Sequence, residues 1–129
     1  MSQNTIYGAI PSTIREQKYV SLKTYRKNGA PIATPVWFGE EDGKLYVMTI
    51  SSSGKCKRIR NNPRVSVAPC SFRGAIKGPE SPAVARLLPV EYHAFARKTI
   101  TRKYFLARIS SPWSKADAFI EISFEEGTA

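Results

Sequence analysis

The chain has 129 residues, 42% of them hydrophobic, and a formal charge of +10 from 20 Lys+Arg against 10 Asp+Glu. That length suits one domain over residues 1–129, burying roughly two thirds of its unfolded surface. No apolar run approaches the ~20 residues of a membrane-spanning helix, and the opening MSQNTIYGAIPS lacks both a basic start and an apolar core, so a cytoplasmic protein is expected.

In chain order, a short helix is expected over residues 12–17 with Ser12 as its cap. From Lys18 the period becomes two, with Tyr19, Ser21, Lys23 and Tyr25 opposite Val20, Leu22, Thr24 and Arg26, which reads as a strand with one face partly apolar. Asn28-Gly29 then signals a type I′ hairpin, because both central residues of that turn need positive φ. The return strand, residues 30–39, carries Pro31 and Pro35, which cannot donate to a ladder and so belong at an edge or a bulge. Glu40-Glu41-Asp42-Gly43 is a second turn, followed by a strand from Lys44 to Ile50. Asn61-Asn62-Pro63 ends a basic helical turn, and residues 64–69 and 83–88 are strands either side of a Gly- and Pro-rich loop. Tyr92, Phe95, Ala96, Thr99 and Ile100 recur at helical spacing, predicting a helix over 90–104. Residues 105–116, around Pro112-Trp113, read as irregular, and 118–124 as the closing strand. Six short strands with closely spaced turns and one late helix describe a mainly β chain, a six-stranded antiparallel barrel with peripheral helices.

The stretch KLYVMTISSSGKCKRIRNNPRVSV, residues 44–67, carries the functional signal. Ser53 caps the helix that follows, so its N–H groups and positive dipole end point where Lys55, Lys57 and Arg58 also reach. Either this is a phosphate cradle or it is a solvated basic helix after a serine turn. Cys56 and Cys70 form no CxxC, and with His93 the sole histidine they give neither a zinc site nor a disulfide framework. His93 reads as a surface residue.

With KYVSLKTYRKNGAPIATPVWF (18–38), the 44–70 segment and, more loosely, RKY (102–104), the chain resembles the flavin-reductase-like split barrels that include pyridoxamine 5′-phosphate oxidase. It is most similar to their deazaflavin (coenzyme F-420) dependent oxidoreductases. The resemblance implies an FMN-binding type of split barrel, a homodimer with the cofactor between subunits, and two-electron chemistry on a small-molecule substrate. It places Thr34, Pro35, Val36 and Trp37 along the ring system, and Met48, Thr49, Ser53, Gly54 and Lys55 at the phosphate, with Lys57 and Arg58 as neighbours. Alternation allows only one of Val36 and Trp37 to face the ring while the other packs into the barrel or the partner subunit, and Trp37 is expected to be the one that lines the site. Coenzyme F-420 is expected over FMN, because its glutamate tail gives Lys57, Arg58, Arg60, Arg73 and Lys77 more to meet. A non-catalytic flavin or deazaflavin carrier is the alternative. Nucleic acid, which the charge also suits, ranks last because the aromatics form no stacking row beside the basic helix.

Overall fold

The structure, a computed structural model, describes residues 7–103 and 116–125. Eight strands form one antiparallel sheet: β1 (Tyr7–Gly8), β2 (Tyr19–Tyr25), β3 (Pro31–Trp37), β4 (Gly39–Glu41), β5 (Lys44–Thr49), β6 (Arg64–Cys70), β7 (Ser81–Leu87) and β8 (Ala118–Glu125). Their order is β3-β2-β6-β7-β8-β5-β4, with β1 against β8. The two ends of that order, β3 and β4, are consecutive in the chain, so the sheet curls back on itself as a mainly β antiparallel split barrel. Helices α1 (Ser12–Arg15), α2 (Gly54–Asn61) and α3 (His93–Lys103) lie around it. The segment around Trp113, and Tyr104 of the RKY match, lie outside the described residues.

The strand expected over 30–39 is divided at Phe38. Up to Trp37 it pairs with β2, Tyr19 facing Trp37, and from Gly39 it pairs with β5, Gly39 facing Tyr46. Phe38, fully buried, marks the corner where the chain changes partners. Gly39 is required there, because a Cβ would lie 2.6 Å from the Thr99 carbonyl oxygen of α3. Among the described residues β3 pairs on one side only and its register with β2 is unbroken, so its prolines sit at an edge and not at a bulge. Having no N–H to give β2, Pro31 and Pro35 occupy positions whose N–H would point to the open edge.

Four local expectations are corrected. The 28–29 turn is not type I′: only Gly29 has positive φ (89°), Gly29 N–H donates to Arg26 O and Arg26 N–H to Ala30 O, making a three-residue loop over Lys27, Asn28 and Gly29. Both central residues are left-handed instead at Asp42-Gly43 (φ 54° and 75°), which joins β4 to β5. The first helix is capped by Pro11 and not Ser12, which already has helical geometry. His93 is no surface residue: it is half-buried, its Nε2 3.2 Å from Leu88 O and its ring 4.8 Å from Phe119. β7 also starts earlier than expected, running through Pro82, which pairs only with β6 and so needs no donor toward β8.

Two apolar layers hold the barrel. Inside, Val20, Leu22, Leu45, Val47, Val67, Ile120, Ile122 and Phe124 close the core, with Ile59 of α2 and Ile14 of α1 as end plugs. Each such side chain contributes about 1.5–3 kcal/mol on burial. Outside, Tyr46, Met48, Leu88 and Phe119 meet Ala96 and Ile100 of α3. β8 therefore runs buried on both faces, which a period-two reading of 118–124 does not anticipate.

Candidate functional site

The α2 helix begins as its sequence predicts: Ser53 is extended (φ −67°, ψ 156°) and its side chain accepts from Cys56 N–H, while Thr49 Oγ1 lies 3.4 Å from Ser53 Oγ. The preceding loop is tied down by Asp117, whose carboxylate accepts from Ser51 N–H at 2.7 Å and from the Ser51 hydroxyl at 2.9 Å. Those bonds, the backbone one first, hold the Asp117 carboxyl below its ordinary range. Asp117 carries no signal in the local sequence, because it stands just before β8, 66 residues from Ser51.

The helix then sorts its residues by face. Cys56 and Ile59 point into the core, whereas Gly54, Lys57, Arg58 and Asn61, at spacing i, i+3, i+4, i+7, line a cavity of about 360 Å³. The opposite wall is the β2–β3 hairpin, through Arg26 and Lys27. Four cations thus share one concavity whose lining, among the described residues, contains no carboxylate. Arg58 is anchored by its Nε donating to Thr24 Oγ1 at 2.6 Å, a hydroxyl 1% exposed. Gly54 makes room for this arm, since a Cβ there would stand 2.6 Å from Arg58 Nη1. The arrangement can neutralise a phosphate by charge-assisted hydrogen bonds from several directions.

Of the residues expected at the site, the structure brings Gly54, Lys57 and Arg58 together and adds Arg26, Lys27 and Asn61. Lys55 does not line this cavity; it is half-buried, and burial pushes its ammonium below the ordinary lysine value. Thr34 and Val36 face the inside of the barrel with their partners Leu22 and Val20. Val36 packs on the inner core, Pro35 is exposed, and Trp37 lies on the other face against Tyr19 (6.0 Å between ring centroids) and the outer apolar layer. Met48 belongs to that outer layer, and Thr49 is buried near Ser53. The cavity meets the hairpin end of β3, and Trp37 ends the same strand, roughly 20 Å away at about 3.3 Å per residue. Arg73 and Lys77 do not line the cavity; they follow Cys70, which pairs with Tyr19 at the Trp37 end.

Among the described residues, no helix is long and apolar enough to cross a membrane. No curated protein sequence matches the chain. Solved structures share its fold. Protein Atu2129 of unknown function from Agrobacterium tumefaciens superposes with a TM-score of 0.66 at 19% identity over 89% of this chain; the chain spans 51% of that protein, about half its length. An F420 reductase gives 0.66 at 22% identity, covering 92% of this chain and 97% of its own. HutZ, the heme storage protein from Vibrio cholerae, gives 0.66 at 16%, covering 92% and 87%. At these identities the likeness carries the fold alone. The sequence itself matches the family model described as pyridoxamine 5′-phosphate oxidase over residues 8–129, nearly its whole length, and with the split barrel and its basic cavity in view the chain belongs to the pyridoxamine 5′-phosphate oxidase family.

Proposed function

We propose that this protein is an oxidoreductase that binds coenzyme F-420, with FMN as the alternative, and that its phosphate sits in the cavity between α2 and the β2–β3 hairpin. The observation that carries the reading is the acid-free lining of Arg26, Lys27, Lys57 and Arg58. The phosphate monoester of FMN brings about two negative charges, so these four cations leave a surplus that suits the phosphodiester and glutamate tail of F-420 better. Bound there, either coenzyme supplies two-electron transfer to a small-molecule substrate; the chain supplies orientation and charge. Lys57 and Arg58 hold the anion, Thr24 fixes the Arg58 guanidinium, and the one-sided strand β3 offers its Thr34–Trp37 stretch as a wall for an elongated ligand. A second copy of the chain is proposed to close over that strand, completing a homodimer in the cytoplasm.

Titration of the purified protein with F-420 and with FMN tests this. Tighter binding of F-420 and oxidation of the reduced coenzyme by a small acceptor are expected. A yellow protein that keeps a flavin spectrum through gel filtration makes FMN the coenzyme, binding of neither overturns the reading, and a monomer that binds tightly removes the shared site. Among the described residues the cavity lining holds no carboxylate or histidine, which favours one further reading, a carrier that holds the coenzyme without turnover. Reduced F-420 that binds and is never oxidised by any acceptor would establish it.

A further inference from the structure

A second cavity, of about 260 Å³, lies on the outer face of the sheet, lined by Lys44, Val84, Arg86, Glu121 and Ser123. The register builds its floor from two cross-strand rows, Lys44–Ser123–Val84 and Tyr46–Glu121–Arg86, with neighbours in each row directly opposite one another on β5, β8 and β7. The cations of the two rows therefore stand at opposite corners. Glu121, 8% exposed, is fully engaged: Arg86 Nε donates to Oε1 at 2.8 Å, the Tyr46 hydroxyl donates to Oε2 at 3.1 Å, and Lys44 Nζ is 4.0 Å from Oε1. These partners outweigh its burial and hold the carboxyl below its ordinary range.

What remains on the lining is donors. The Ser123 side chain is 7% exposed, and its hydroxyl has no hydrogen-bond partner among the described residues. Arg86 uses Nε alone, leaving its two terminal nitrogens without a partner among them. A buried hydroxyl without a partner is uncommon, and here it lines a space that would hold several waters at about 30 Å³ each. The planar fork of the Arg86 terminal N–H groups matches a carboxylate, and Val84 provides a short apolar wall. A dianion such as phosphate would meet Glu121 with its second charge.

We propose that this cavity binds a small aliphatic monocarboxylate, its carboxylate accepting from the Ser123 hydroxyl and the Arg86 terminal N–H groups and its alkyl chain lying on Val84. The site is independent of the basic cavity, which is built from α2 and the β2–β3 hairpin.

The full-length protein is titrated with butyrate and with inorganic phosphate at constant ionic strength, following binding by calorimetry and stability by thermal melting. Butyrate is expected to bind wild type more tightly than phosphate, and Ser123→Ala to weaken butyrate about tenfold, the size of one hydrogen bond to a charged group. Because the lost oxygen has no protein partner, the Ser123→Ala melting temperature in carboxylate-free buffer should be unchanged or higher, whereas a purely structural serine would lower it. F-420 and FMN titrations should not move. The proposal is overturned by no butyrate binding up to about 50 mM, far above the millimolar affinities that weak sites show. It is equally overturned by phosphate binding tighter than butyrate, by Ser123→Ala binding butyrate as wild type does or melting lower, or by altered coenzyme affinity in that variant.

Discussion

Lys57→Ala separates the cavity described above from the cradle that the sequence suggests. Lys57 is exposed on α2, lines the cavity, and its ammonium has no hydrogen bond or ion pair among the described residues, so its removal leaves no partner stranded. Lysine and alanine are both good helix formers, and folding stability should change by less than about 0.5 kcal/mol. Binding is different. A hydrogen bond from a cation to an anion contributes about 1.5–3 kcal/mol, and the exposure of Lys57 puts it at or below the low end, about 1–2 kcal/mol, or roughly 5- to 30-fold in Kd. The loss should shrink with added salt, since screening sets in over about 8 Å at physiological ionic strength. Lys55→Ala is the control: off the lining and half-buried, it should cost less. Fluorescence titrations of both variants with F-420 and FMN measure this. Wild-type affinity in Lys57→Ala together with lost affinity in Lys55→Ala would refute the reasoning and move the phosphate to the Ser51–Ser53 loop.

Gly39→Ala should destabilise the protein by about 3 kcal/mol, because the new methyl meets the α3 backbone at Thr99 and Ile100 and no side chain can turn away; a denaturant midpoint within error of wild type would contradict the close approach. Trp37→Ala should cost about 2 kcal/mol, below the value for a fully buried aromatic since Trp37 is half-buried against Tyr19 and the outer layer. If Trp37 also borders the coenzyme, its fluorescence should quench on titration, and a constant signal would assign it to packing alone. Glu121 has a folded pKa below its ordinary 4.5, so its contribution to stability is complete above that pH and is lost as pH falls through the lower folded value. Glu121→Gln should therefore flatten the acid limb of a stability–pH curve below about pH 4.5, and an unchanged limb would mean that other carboxylates set it.

Much of the barrel is legible because period-two segments and turn residues act locally. Val20, Leu22 and Thr24 announce their inward face, and Ser53 announces the helix it caps. The corner at Phe38 is not legible, since W-F-G-E continues the alternation of 30–39 without a break and only the change of partner from β2 to β5 reveals it. The wall of the basic cavity is hidden for a related reason. Lys57 and Arg58 form a visible basic run, but Arg26 and Lys27 join them only once β2 has paired with β6 and α2 has crossed beside the hairpin. The Glu121 cluster is further still from local sequence: its hydroxyl and guanidinium partners lie 75 and 35 residues away, and register alone brings them together.

The unbroken register of β3 also bears on how the chain avoids open-ended, strand-by-strand growth. A seven-residue strand with one edge unpaired among the described residues is a template on which another strand could grow. Along that edge the N–H groups belong to every second residue, starting with Pro31, Ala33 and Pro35, and two of these three are prolines with nothing to donate. A foreign strand could not complete a continuous ladder there, so the edge is guarded against fibrous growth while staying open to a flat ligand that needs only one or two backbone contacts.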